Sequence, residues 1–423
     1  MSDNDGSASI VLAGQSTIAE WQEDFYRTVH RHPELGHQEV KTAAAVAAAL
    51  RRFGFEVQEK IGSTGVIGIL QNGDGPVVLM RADMDALPVE EATGLPYASA
   101  DRATDGDGND VPVMHACGHD AHVACLLGAA RLLSEKPAAW HGTYIALFQP
   151  AEELADGAEV MLKGGLATMI PRPDVALAQH MLPIPAGRVG TRAGTFLSSG
   201  DSMRVTVSGR GSHGSMPQLS VDPVVLASTI VVRLQGIVAR EITPGEFAVL
   251  TVGRIAGGSK SNIISDHAVL ELNIRTFSET TRTTIVKAIH RIVEGECATS
   301  GSPMRPRFEL YDHYPVTEND PDATARVADA FARYFDDRAF TIDRQSASED
   351  FSEIPNTLGV PYTYWGVGCI DADLYAKAEA AGSVSTDIPS NHSPNFAPAL
   401  EPTLQTGTAA AVVAALAWLG DNY

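Results

Sequence analysis

Three nearly continuous apolar runs each stop on polar side chains of the kind that bind metals or move protons. They are PVVLMRADMD (76–85), TYIALFQPAEE (143–153) and VALAQHM (175–181). Strands buried on both faces of an α/β sheet read this way, as uninterrupted apolar runs alternating with helical stretches. Period-two alternation puts Asp83 and Asp85 on one face at the end of the first run. Glu152 and Glu153 follow the second run, and His180 sits near the end of the third. In open α/β sheets, sites form beyond the carboxyl ends of the strands. The cluster MHACGHDAH (114–122), with Cys117, His119 and His122, stands just before a helix, and NHSP, with His392, stands before the last one. Five segments therefore deliver ligand-type residues to one edge.

Helical periodicity over 17–30 and 39–53 precedes the strands, and Gly54 stops the second helix. Near 190 the pattern changes. SMRVTVSG, FAVLTVGRI, HAVLELNIRTF and RPRFEL read as strands, and DPVVLASTIVVRLQGI and TRTTIVKAIHRIVEGE as helices. Their order, β-α-β-β-α-β, is the ferredoxin-like arrangement. The expected division is a catalytic domain in two parts, 1–190 and 306–423, with an inserted domain over 191–305. The α/β pattern resumes at 321–337 and closes with a helix at 400–419. The acidic, Gly-rich stretch DRATDGDGND (101–110) and much of 371–390 read as solvated loops.

With 423 residues, 44% of them hydrophobic, the chain can bury a large core in two domains. Its 52 acidic and 31 basic residues give a net charge of −21, a field that repels nucleic acid and anionic membranes. The polar start MSDNDGSASI is unlike a signal peptide, and the Ala-rich runs near 42–50 and 408–418 read as too short to span a bilayer and fit amphipathic or buried helices. The four cysteines form no C-x-x-C pair, which fits a reducing, cytoplasmic setting. Cys125, Cys297 and Cys369 read as small buried hydrophobes; Cys117 does not.

Each polar residue has an ordinary explanation when taken alone. An aspartate can cap a turn, a glutamate can be solvated, and a histidine after an apolar run is usually hydrogen-bonded in the core. The joint placement is what points to a site. Thiolate, imidazole and carboxylate together suit zinc or another late first-row divalent ion. Two adjacent ions need a bridging anion, for which Cys117 or a carboxylate serves. Two decoys fail their context. HPELGHQE (32–39) lacks zinc-protease spacing and carries Pro33 and Gly36 where a helix is needed. GRGSHG (209–214) matches a dinucleotide fingerprint, but MPQLSVDP follows where a helix should open. There is no G-x-S-x-G elbow for a serine hydrolase.

The sequence resembles the dinuclear metal amidohydrolases that include hippurate hydrolase, N-acyl-L-amino acid amidohydrolase and indole-acetyl-amino-acid hydrolases. The motifs HRHPELGHQE, RADMDALPVEE, MHACGHDAH, FQPAEE, AQHM, GRGSHGSMPQ, SNIISDHA, SEDFS and NHSPNF carry the likeness along nearly the whole chain. The resemblance implies a zinc-peptidase-like α/β catalytic domain with a mixed sheet and a ferredoxin-like lid that also dimerises. It implies two divalent ions per subunit, drawn from Zn, Mn, Co or Ni. Cys117 would bridge them, with His119 and His180 completing one site and Glu153 and His392 the other. Glu152 would be the general base and then the acid. Asp85 would orient a ligand histidine, and His213 would stabilise the oxyanion in the partner subunit's site. Asn262 and Arg275 lie where such enzymes contact substrate. His122 is expected to be structural or to support a ligand, and Asp350 to be structural.

The expected activity is hydrolysis of the amide of a small N-acyl amino acid, in a homodimer or a dimer of dimers, with no nucleic-acid or membrane partner. A dipeptidase or carboxypeptidase is the rival within the same chemistry. A non-catalytic metal- or ligand-binding protein and a thiol sensor using Cys117 are rivals from other classes. The intact base at 152 and the intact ligand set argue against both of these.

Overall fold

The computed structural model describes residues 6–420, so the first half of the polar start lies outside the described residues. The chain forms two compact units, one of 1–196, 318–343 and 350–423 and the other of 197–317 and 344–349. The second unit is longer than the expected 191–305. Strand Arg307–Tyr314 pairs along Ser199–Ser208 and therefore belongs with it.

The first unit is built on an eight-stranded mixed sheet. Its order is Glu56–Ile61, Gly65–Asn72, Gly142–Gln149, Val77–Asp83, Val175–Pro185, Tyr362–Ile370, Val189–Thr191 and Ala339–Thr341. The four central strands, from Gly142–Gln149 to Tyr362–Ile370, run parallel. Every residue of Gly142–Gln149 and of Tyr362–Ile370 is buried, as the apolar runs require. Val78, Met80 and Ala82 join the main helical core, while Arg81 and Asp83 point to the opposite face.

Helix His119–Glu135 lies at the centre of that core, between helices Gln15–Arg31 and Leu400–Leu419. Its Leu126, Leu127, Leu132 and Leu133 are at most 1% exposed, and each contributes about 1.5–3 kcal/mol by leaving water. Helix Leu400–Leu419, at 20 residues, is long and apolar enough to cross a membrane although the Ala-rich run within it reads as too short, and 83% of its most apolar window is buried, in line with the buried-helix reading.

Two stretches read as loops are ordered. Residues 101–110 lie largely in a hairpin of Arg102–Thr104 against Asp110–Pro112, with Asp105 accepting the amides of Asp107 and Asn109 across its turn. Within 371–390, Asp371 caps helix Ala372–Ala381 by accepting from the amides of Asp373 and Leu374. In both, aspartates that suggest solvent are used instead to satisfy backbone donors.

The second unit has strand order Ala248–Gly257, His267–Thr276, Ser199–Ser208, Arg307–Tyr314, all antiparallel, with two helices covering one face. This is the ferredoxin-like order. Asp222 caps the first helix, with Pro223 in its first turn, and Ser278 caps the second.

Close approach of helix Leu400–Leu419 to the centre depends on Gly407, where a Cβ would lie 2.7 Å from Cys125 Sγ and 3.1 Å from Met181 Cε. Gly407→Val is expected to destabilise the protein by about 1–3 kcal/mol, read as a lower midpoint in urea denaturation.

Candidate metal centre

The strand ends and loops of the first unit converge as the sequence pattern suggests. The ligand atoms of Cys117, His119 and His180 lie within 4.8 Å of one another, and so do those of Cys117, Glu153 and His392. Cys117 is common to both groups. His119 forms a third such group with Glu152 and Glu153.

Local backbone geometry sets each side chain. Gly118 has φ +88, a left-handed turn that ends the loop at Cys117 and starts the helix at His119. His392 has φ +69 and donates its amide to the Ala116 carbonyl, which fixes it beside Cys117. Glu152 and Glu153 sit in the short turn Glu152–Leu154, flanked by Ala151 at φ 50 and Ala155 at φ 57. Left-handed alanines cost about 1–2 kcal/mol each, so this turn is held under strain.

The tautomers follow from the hydrogen bonds. His119 Nδ1 donates to the Asp85 carbonyl at 2.9 Å, and His180 Nδ1 donates to the Met181 carbonyl at 2.8 Å. Each ring therefore turns its Nε2 toward the cluster, and His180 Nε2 lies 3.5 Å from Cys117 Sγ. His119 Nε2 is buried without a hydrogen-bond partner among the described residues, with Asp83 Oδ2 at 3.7 Å and Glu152 Oε2 at 3.9 Å. Asp85 serves twice, because its Oδ2 also accepts the Glu153 amide at 2.9 Å. His392 Nε2 stands 3.2 Å from Glu153 Oε1.

The charge is lopsided. Burial, then Glu153, Glu152 and Asp83, push the Cys117 thiol well above its ordinary value. Burial disfavours a charged His119, yet the charge of Asp83 and the bond to Asp85 push it up to about 10. An orphaned buried imidazole nitrogen among a thiol and carboxylates is a donor set that fits a divalent cation of the zinc type.

His122 is occupied elsewhere. It accepts the Met181 amide on Nε2 at 2.8 Å, so its Nδ1 donates to Asp83 Oδ1 at 2.5 Å. Asp83 is also paired with the buried Arg81 at 2.5 Å; burial pushes its carboxyl up, but Arg81, His119 and His122 together hold it well below its usual range. Arg81 in turn reaches Gln149 and Asp350, and Asp350 accepts from Gln149 and from the Ala158 amide. Asn391 Nδ2 donates to the carbonyls of Cys117 and Met181 at 3.1 Å each. Sequence reasoning passed over Arg81, Gln149 and Asn391. An arginine inside a buried strand was the available signal for the first.

His213, Asn262 and Arg275 belong to the second unit. His213 is exposed and pairs with Ile263, and the Gly214 amide donates to the Asn262 carbonyl, so His213 and Asn262 are neighbours. Arg275 lies near the far end of strand His267–Thr276, roughly 25 Å along it from His267. It donates to Asn273 at 2.9 Å and to Ser348 at 2.5 Å.

Residues 79–384 match the model of peptidase family M20/M25/M40. The chain belongs to this family. It is 37% identical to the N-acetyl-L-cysteine deacetylase of Bacillus subtilis over 306 residues, 72% of this chain and 70% of that one. It is 36% identical to the hippurate hydrolase of Campylobacter jejuni over 327 residues, 76% and 82% of the two chains. Among solved structures it resembles a dinuclear metal binding peptidase from the M20 family of Bacillus subtilis, with a TM-score of 0.74 and 27% identity over 95% of this chain and 98% of that one. The chain is accordingly a metal-dependent hydrolase of the amidohydrolase and metallopeptidase kind. In this M20-family chain the cluster occupies the parallel strand ends of the first unit.

Behind the cluster, buried His30 bridges Asp120 at 2.7 Å and Glu91 at 3.1 Å, fixing the first turn of the helix that carries His119. Burial opposes its charge, but the two carboxylates raise its pKa to about 9. A pKa raised on folding gives stability that is complete below the free imidazole value of about 6.5 and is lost as pH climbs to about 9. Up to about 3 kcal/mol is expected to disappear across that window, and His30→Asn should flatten the stability–pH curve there, as measured by urea denaturation.

Proposed function

We propose that this protein hydrolyses the amide bond of N-acyl amino acids, releasing a carboxylate and a free amino acid, with Glu152 as the general base. The observation that carries this reading is the pair of three-ligand groups sharing Cys117. Cys117, His119 and His180 would hold one divalent ion, and Cys117, Glu153 and His392 the other. The bound ions supply Lewis acidity toward the scissile carbonyl and toward water.

Glu152 takes a proton from the attacking water and returns it to the leaving nitrogen. Its carboxylate is 5% exposed and 3.9 Å from His119 Nε2, in surroundings that keep bulk water from competing for the proton. Asp85 holds the His119 ring and the Glu153 amide, so the base and its neighbours keep one geometry. Arg275, braced by Asn273 and Ser348, offers a guanidinium fork suited to the free carboxylate of the amino-acid half. His213 pairs with Ile263 in a small separate sheet, whereas Arg275 lies near the far end of strand His267–Thr276. We assign His213 and Asn262 to the partner subunit's substrate, where His213 donates to the developing oxyanion.

A second copy is supported by the shape of the second unit. Strand Ala248–Gly257 is an edge strand, and Val225 and Val232 on the neighbouring helix are 61% and 72% exposed. The chain is expected to sediment at twice its own mass, and Val232→Asp to shift it toward a monomer with little activity. A fully active monomer would remove the shared site.

Glu152→Ala is expected to keep the metal content of the parent protein while turnover of N-acetyl and N-benzoyl amino acids falls on the order of 10²–10⁴-fold. Metal analysis and steady-state kinetics check this, and near-normal turnover would reject Glu152 as the base. Faster cleavage of dipeptides than of N-acyl amino acids in the same assay would move the reading to a dipeptidase.

A further inference from the structure

The segment from Gly36 to Glu39 grips the turn that carries Glu152 and Glu153. Glu39 is fully buried, and its Oε1 accepts the Ala151 amide at 2.8 Å and the His37 amide at 3.0 Å. Its Oε2 accepts the Thr64 hydroxyl at 2.6 Å. At the far end of the turn, His37 Nε2 lies 3.0 and 3.2 Å from the two carboxylate oxygens of Asp156, while His37 Nδ1 meets Ser63 Oγ at 2.8 Å. Gly36 packs between these anchors, where a Cβ would lie 2.8 Å from Leu154 Cδ1 and 3.2 Å from Ala151 Cα.

The gripped turn is not at rest, since Ala151 and Ala155 both adopt left-handed backbone. Such conformations persist only where surrounding structure over-determines them. Stability alone gives no reason for an acid at position 39. Burial and the charge of Asp85 push its carboxyl up to about 7, against the bonds from Thr64 and Ala151.

We propose that Glu39 is a positioning residue for the catalytic base, anchoring the Ala151 amide so that the turn Glu152–Leu154 keeps the Glu152 carboxylate beside His119. This inference rests on the reading of Glu152 as the base. The hydrogen bonds of Glu39 reach the Ala151 and His37 amides and the Thr64 hydroxyl. It acts through one backbone amide, next to the residue that moves the proton.

Three substitutions separate positioning from a merely structural role. Glu39→Ala removes the acceptor. Glu39→Asp keeps the charge but withdraws it from Ala151, and stands in if the alanine variant does not fold. Glu39→Gln keeps a carbonyl oxygen for both amides, with the Thr64 hydroxyl turning to accept from its amide group.

For Glu39→Ala and Glu39→Asp, kcat is expected to fall on the order of 10- to 100-fold with KM within about three-fold and metal content unaltered. In the metal-free protein, hydrogen–deuterium exchange of the peptide spanning 150–157 should accelerate in both. Glu39→Gln should bring kcat back to within about three-fold of the parent and restore protection of that peptide. The proposal is overturned by undiminished kcat in Glu39→Ala or Glu39→Asp, by a Glu39→Gln variant as impaired as these, or by unchanged exchange at 150–157. Glu152→Gln run alongside tells the failures apart. If it keeps turnover, the base reading falls and this inference with it; if it loses turnover while Glu39→Ala does not, only this inference falls.

Discussion

The first unit is organised around the burial of negative charge. Asp83, Asp85 and Glu152 are at most 5% exposed, Glu153 adjoins them, and Cys117 adds a thiol that becomes an anion only with a cation beside it. Isolated buried carboxylates are expensive unless paired and hydrogen-bonded. The protein compensates from the far side of the strand ends. Arg81 pairs with Asp83 and Asp350, and His122 with Asp83. His119 Nε2 has no hydrogen-bond partner among the described residues, with Asp83 and Glu152 oxygens 3.7 and 3.9 Å away. Thiol, carboxylate and imidazole groups gathered at the front of the strand ends suit a divalent cation.

The segments presenting these groups are also the ones with unusual backbone. Ala151, Ala155 and His392 have positive φ without being glycine, and Gly118 supplies the same conformation between Cys117 and His119. Each lies within two residues of a side chain in the cluster. Tight left-handed turns bring ligand atoms from separate loops within 4.8 Å, which smooth strand-to-helix connections would not do. The strain is carried by bonds from elsewhere, such as the His392 amide to Ala116 and the Ala151 amide to Glu39.

Much of this layout was legible in the residues because burial on both faces leaves a plain mark. VVLMRAD, TYIALFQ and VALAQHM had to be central strands, and their ends had to share an edge. The ferredoxin-like order was legible for a similar reason, since alternating strands such as HAVLELNIRT bury one face only. Contacts between distant positions were not. The ties from Asn391 to Cys117 and Met181 and from Arg81 to Asp350 join residues that no local period relates. The stretches at 101–110 and 371–390 are largely exposed, as their composition suggests, but they carry a hairpin and a helix because Asp105 and Asp371 satisfy local amides. The last strand of the second unit was legible as RPRFEL, but its end was not: pairing with Ser199–Ser208 carries it to Tyr314, beyond the expected boundary at 305.

MHACGHDAH places two histidines three apart at the start of one helix, where side chains share a face. Their sequence positions alone do not distinguish them. The backbone of Met181 does. Its amide donates to His122 Nε2, which forces the His122 proton onto Nδ1 and toward Asp83. Its carbonyl accepts from His180 Nδ1, which leaves the His180 Nε2 lone pair facing Cys117. Burial, aided by the neighbouring His122, keeps that His180 ring neutral, as a ligand must be. The backbone of one residue, Met181, thus takes one imidazole out of the cluster and aims another into it. His119 Nδ1 is held by Asp85 through its carbonyl at 2.9 Å and its carboxylate at 3.3 Å, and its Nε2 has no hydrogen-bond partner among the described residues. Which ring nitrogen each histidine turns toward the cluster is therefore set by the backbone group that meets its other nitrogen, a property of the fold rather than of the histidine motif.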